Sequence, residues 1–200
     1  MIQIPNDYDS ARAYDGSAAP RLTPGGHICR IRGTRVEQSR SGSDMLVVAF
    51  DIIEEGEFNG YFQRRFERAK SYNAYANWPG VFRASILTAD GRTNGYFKGF
   101  IEAVEASNAS YSFRQSGGNE TMLNGKLVGF NFGEEDYRSS IDNSVKTAVK
   151  PFYAVSVAKV RDGIAPPAKK LLADANSTPR PVGQPDAGGF QQVEDDELPF

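Results

Sequence analysis

Residues 61–70 read "YFQRRFERAK". Aromatic and basic side chains interleave here more densely than anywhere else in the chain. On a strand, successive side chains point to opposite faces, so Phe62, Arg64, Phe66 and Arg68 would share one face. A face carrying two arginines is not core throughout. Residues 60–68 are therefore read as a strand with one partly open face, and the rest of the chain is assigned around it.

Upstream, "HICRIRGTRVE" (27–37) alternates, with Cys29 and Ile31 on one side and Arg30 and Arg32 on the other. "SRSGSD" (39–44) is a turn cluster. "MLVVAFDII" (45–53) is an apolar run suited to burial on both faces. These predict a hairpin over 27–37 and 45–54. Downstream, 69–94 admits a loop, a short helix or an extra strand. "NGYFKGFIEAVEASN" (94–108) has the helical period: Phe97, Phe100, Ile101 and Val104 recur on one face, with Asn94 as cap and Ser107-Asn108 as the end. "KLVGFNFGEE" (126–135) predicts a fourth strand and 144–161 a long last one, bent near Pro151. The order strand, strand, strand, helix, strand, strand places the chain in the all-β class. It matches an OB-fold, a five-stranded Greek-key barrel with a helix between its third and fourth strands.

Four segments follow. Residues 1–24 form a polar extended arm whose Ile2, Ile4, Tyr8 and Tyr14 can dock on the body, and residues 25–163 form the barrel. Residues 164–193, rich in Pro, Gly and small polar residues, read as a disordered linker. Residues 194–200, "EDDELPF", form an acidic tip with an apolar end.

Residues 171–200 hold one Lys/Arg and six Asp/Glu, leaving 22 and 19 for residues 1–170. The body is mildly basic and the tail acidic, an asymmetry that points to nucleic-acid contact. The single Cys29 excludes an intramolecular disulfide framework. No apolar run approaches the roughly 18 residues of a membrane span, and "MIQIPNDYDS" lacks the blocks of a signal peptide. The expected location is the cytoplasm. With one histidine (His27) and one cysteine, soft ligands cannot build a zinc cluster. No G-x-S-x-G and no phosphate-binding P-loop are present. Glu134, Glu135 and Asp136 read as a solvated loop rather than a nuclease metal site. No enzyme activity, metal or cofactor is expected.

In the tip, Asp195, Asp196 and Glu197 precede Leu198, Pro199 and Phe200. Phe200 supplies an apolar anchor beside the terminal carboxylate, which suits a small hydrophobic pocket ringed by Arg and Lys. This tip, following a Gly/Pro-rich linker, resembles that of bacterial and bacteriophage single-stranded DNA-binding proteins. "TPGGHICRIRG", "SGSDMLVVAFDI", "GEFNGYF", "WPG" and "FKGFIEAVEASN" are similar to a divergent phage and prophage group of that family. The resemblance implies coating of single strands during replication, recombination and repair, and recruitment of partner proteins through the tip. The length of 69–94 departs from the family pattern, so the family's tetramer is not carried over; a monomer or small homo-oligomer is expected.

Sequence-independent binding of single strands needs a basic groove for phosphates and aromatic platforms for bases. The candidates are Arg30, Arg32 and Arg35 on the first strand and Arg40 in the turn after it. Arg64, Arg65, Phe66, Arg68 and Lys70 come from 61–70. Tyr72, Tyr75, Trp78 and Arg83 come from 69–94, and Lys146, Lys150 and Phe152 from the last strand. Phe62 fits core and groove equally, and Phe97 and Phe100 are assigned to the core. The rival reading is an adaptor whose barrel binds protein and whose tip mimics that of a host single-strand binder.

Overall fold

The computed structural model describes residues 20–39 and 41–172, together with Gln3, Ile4 and Tyr8. The described residues are mostly β. They form β1 (Gly25–Gln38), β2 (Asp44–Ile52), α1 (Tyr61–Lys70), β3 (Val81–Ser85), α2 (Gly95–Ser107), a 3₁₀ turn (Glu120–Leu123), β4 (Leu127–Arg138), β5 (Val145–Val155) and α3 (Val157–Arg161). The five strands make one antiparallel sheet in the order β3-β2-β1-β4-β5.

The sheet curls. Phe82 of β3 and Phe130 of β4 are separated by two intervening strands, about 14 Å at the usual strand spacing. Yet their rings meet at 5.0 Å. Phe100 of α2 packs on both, at 5.3 and 6.3 Å. Helix α2 touches both edge strands, β3 and β5, as well as β4. Cys29, Ile31, Leu46, Val48, Phe50, Ile52, Val128, Phe130 and Phe132 complete the core. The alternation of β1 holds: Cys29 and Ile31 are buried while Arg30 and Arg32 are exposed. Strand β2 is buried on both faces from Met45 to Val48. Helix α2 starts where the sequence places it, with the Asn94 side chain accepting from the Tyr96 amide at 2.8 Å.

The third strand does not lie at 60–68. Residues 61–70 are helix α1, and the third strand is β3, inside the segment the sequence left open. A helix of ten residues is marginal alone. Burial of Tyr61 and Phe62, worth about 1.5–3 kcal/mol each, fixes it to the body. Its start is held from outside: the Asp51 carboxylate on β2 accepts from the amides of Phe62 (2.9 Å) and Gln63 (3.3 Å). The preceding Gly60, at φ 66°, offers no side-chain cap. A carboxylate at a helix N-terminus is favoured by the dipole and by the orphan amides.

Three boundaries also shift. Strand β4 runs on through Arg138, across residues read as loop. Strand β5 stops at Val155, and Ser156 caps α3. The register irregularity in β4–β5 falls beside Pro151, near the expected bend. Beyond α3 the chain returns to the sheet. Asn131 donates to the Ala165 carbonyl (3.0 Å), and Lys170 exchanges backbone bonds with Glu134 and Asp136, each 2.9 Å. Residues 164–170, the start of the expected linker, thus lie along β4 as a strap. Of the arm, Leu22 is buried, Arg21 donates to the Thr147 carbonyl, and Ile4 and Tyr8 are exposed. No helix among the described residues is long and apolar enough to cross a membrane.

Candidate nucleic-acid interface

One row of side chains joins β1, α1 and the turn before β3. It starts at a β-bulge: the β1–β2 register slips between Ile31 and Gly33, so Arg32 has no direct partner on β2. Bulges re-aim side chains, and this one sets the Arg32 guanidinium over the Trp78 ring, 5.2 Å from its centroid. Trp78 leans on Phe66 of α1 (5.3 Å), and Lys70, one turn on, lies over the Phe66 ring (5.3 Å). Cation, ring, ring, cation is the order: Arg32, Trp78, Phe66, Lys70.

The indole is fixed from behind. Its Nε1 donates to the Phe50 carbonyl at 3.0 Å. Two residues later the Gly80 carbonyl accepts from the Phe50 amide at 2.9 Å. A β-carbon on Gly80 would stand 2.4 Å from the Phe50 oxygen and 2.7 Å from the Phe62 ring. "WPG" is therefore a close approach of turn to strand that only glycine permits.

Beside the row, β1 and β3 align basic side chains across β2. Arg35 of β1 and Arg83 of β3 both pair with Val47 of β2, one from each side, so all three share the face away from the core. Val47 is buried while both arginines are exposed. Arg35 pairs with Glu37. An exposed pair is worth about 0–1 kcal/mol, so exchanging the glutamate for a phosphate costs little. Among the described residues no ion pair forms at Arg30, Arg32 or Arg83, although Arg30 stands opposite Asp51 in the β1–β2 register.

The remaining candidates separate into three groups. Arg64 is committed to its own loop, donating to the carbonyls of Asn59 and, at 2.6 Å, Glu57. Arg65 lies over the Tyr61 ring at 5.6 Å, and Arg68 is exposed on the last turn of α1. Tyr72 and Tyr75 stand on the loop after α1, 79% and 89% exposed. On β5, Lys146 pairs with Asp142 and Lys150 lies 4.0 Å from Glu135. Phe152 is not an open platform. It is 6% exposed, packs over Gly133 and carries the Lys170 ammonium 4.3 Å above its ring. Arg40 and the tip residues Asp195 to Phe200 lie outside the described residues. The sequence missed Asp51, whose role depends on the α1 start, and Val47, whose position between two arginines is visible only once the register is known.

His27 is buried between the edges of Phe58 and Phe132, its two ring nitrogens facing Glu54 and the Thr23 carbonyl. Cys29 is buried too, and burial beside the charges of Glu54 and Asp51 pushes its thiol well up, away from reactivity. Glu134 and Glu135 lie in β4, within the strand expected over 126–135, and Asp136 continues that strand instead of opening a loop. No group of three or more potential ligands among the described residues could hold a metal ion. No known protein family and no curated protein matches the chain.

Proposed function

We propose that this protein binds single-stranded DNA without sequence preference and recruits partner proteins through its acidic C-terminal tip. Such binding serves replication, recombination or repair, in a phage or bacterial setting. The row Arg32, Trp78, Phe66, Lys70 carries the reading, with Arg30, Arg35 and Arg83 beside it. Cations held at both ends of a ring pair, with further exposed arginines alongside, supply the basic track that a flexible polyanion requires. We read the curled sheet as an OB-type barrel whose seam lies between β3 and β5 under α2, an arrangement in which the β2–β3 face is the usual oligonucleotide surface. The tip, "EDDELPF", is complementary to a basic pocket on a partner and, in the same terms, to the protein's own arginine face.

The test is anisotropy of labelled oligo-dT across a salt series, with the full chain and with a chain ending before Glu194. Binding that weakens as salt rises and tightens at low salt once the tip is gone is the expected result. Equal affinity of the two chains at low salt would remove the tip from the DNA face. Absence of binding by both would leave an adaptor built around the tip.

A further inference from the structure

The two rings in the row are already occupied: Arg32 lies over Trp78 and Lys70 over Phe66, and the indole is tied to the Phe50 carbonyl. A base reaching either ring would have to displace a cation. Tyr72 and Tyr75 differ. They follow directly on Lys70, are the most exposed aromatic side chains of the body, and make no ring or cation contact among the described residues. Their exposure is not that of a slack loop. The Tyr72 and Asn73 amides donate to the Ala69 carbonyl at 3.3 and 2.9 Å. The Tyr75 amide donates to the Asn73 side chain at 3.0 Å and the Ala76 amide to the Asn73 carbonyl at 3.1 Å. Two aromatic rings are thus carried into solvent on a hydrogen-bonded turn, with Arg68 and Lys70 before it in the chain and Arg83 after it.

We infer that loop 71–77 is a preformed base-stacking arm in which Tyr72 and Tyr75 are the platforms, while Trp78 and Phe66 act as the scaffold that positions the neighbouring cations. The occupant is a nucleobase of a single strand: the rings meet a flat apolar face, and the flanking cations meet its phosphates. This rests on the DNA-binding reading above and narrows it to particular side chains.

The test compares the full chain with Tyr72→Ala/Tyr75→Ala and Tyr72→Phe/Tyr75→Phe, titrated into labelled oligo-dT at one salt concentration. Stacking is worth about 1–3 kcal/mol per base, roughly 5- to 150-fold in affinity. The alanine pair is expected to weaken binding at least tenfold and the phenylalanine pair to bind like the parent chain, because the ring and not the hydroxyl does the stacking. Neither ring packs on the body, so far-ultraviolet dichroism and thermal unfolding should be unchanged in both. Unchanged affinity of the alanine pair overturns the arm and leaves the DNA-binding reading standing. Equal loss in both pairs overturns stacking in favour of the hydroxyls. Failure of the parent chain to bind overturns the DNA-binding reading itself.

Discussion

Gly80 has no room for a side chain, and this makes it a probe of the whole row. Gly80→Ala drives a methyl into the Phe50 carbonyl and the Phe62 ring. Overpacking of this kind costs typically about 1–3 kcal/mol, so urea unfolding should show a lower midpoint and a free energy of unfolding reduced by that amount. The turn must shift to relieve the clash, and the single Trp78 is attached to it. Its emission should therefore change in the native state as well; a variant with the parent's stability and emission would contradict the packing described. The sequence quoted "WPG" as a motif, yet the reason for its glycine is an approach between residues thirty positions apart, which no local pattern contains. Cys29/Ile31 against Arg30/Arg32 is the opposite case. Alternation on one strand is a local property, and those four residues were legible.

At the scale of elements, α1 was the misreading and its cause is specific. Helices are recognised by caps, and this one has a left-handed glycine at its start and borrows its carboxylate from β2. Its stripe is short: Phe62, Phe66 and Ala69 follow a helical spacing, but interleaved arginines give the same letters an alternating look. Helix α2 carries its own Asn94 cap and four apolar residues in register, and was assigned correctly. Strand β3 has five residues, too few to show a period. The strap was hidden for a related reason, since backbone hydrogen bonds to β4 leave no mark in a proline-rich sequence. Its side chains add a testable tie. Lys169 pairs with Asp136 at 2.7 Å, and this bond, with that of Thr147, holds the Asp136 carboxyl below its ordinary 3.8. A lowered carboxyl stabilises the fold above the unfolded value and loses that contribution as pH falls through the folded one. Asp136→Asn should therefore melt below the parent at pH 7, and the gap should close as pH is taken below 3.8. A gap that persists in acid would assign the difference to something other than charge.

For the whole molecule, charge placement matters more than charge total. The formal net charge is −2, which alone argues against binding a polyanion. The folding of three strands side by side nevertheless collects Arg35 and Arg83 around Val47, with Arg30 and Arg32 further along β1. Each phosphate contact on a single strand contributes about 0.7 to the salt slope of log affinity. Replacing both Arg35 and Arg83 by alanine should weaken oligo-dT binding uniformly across sequences and flatten that slope by about 1.4. A parallel drop with the slope intact would mean that the two side chains act through the fold and not through phosphates. The sequence supplied these arginines as candidates but not their grouping, because register decides which of them face one another.

The strap also bears on where this chain can be cut. A fragment ending at Gly163 would keep every strand and helix of the sheet, yet it would strip the neighbour from Glu134–Asp136 and the ammonium from above Phe152. What remains is the Asp136 amide and the Glu134 carbonyl without their strap partners, a short length of strand edge on which a second chain can add itself. Shortened versions that end before Lys170 are thus expected to self-associate, and those that keep it to stay dispersed.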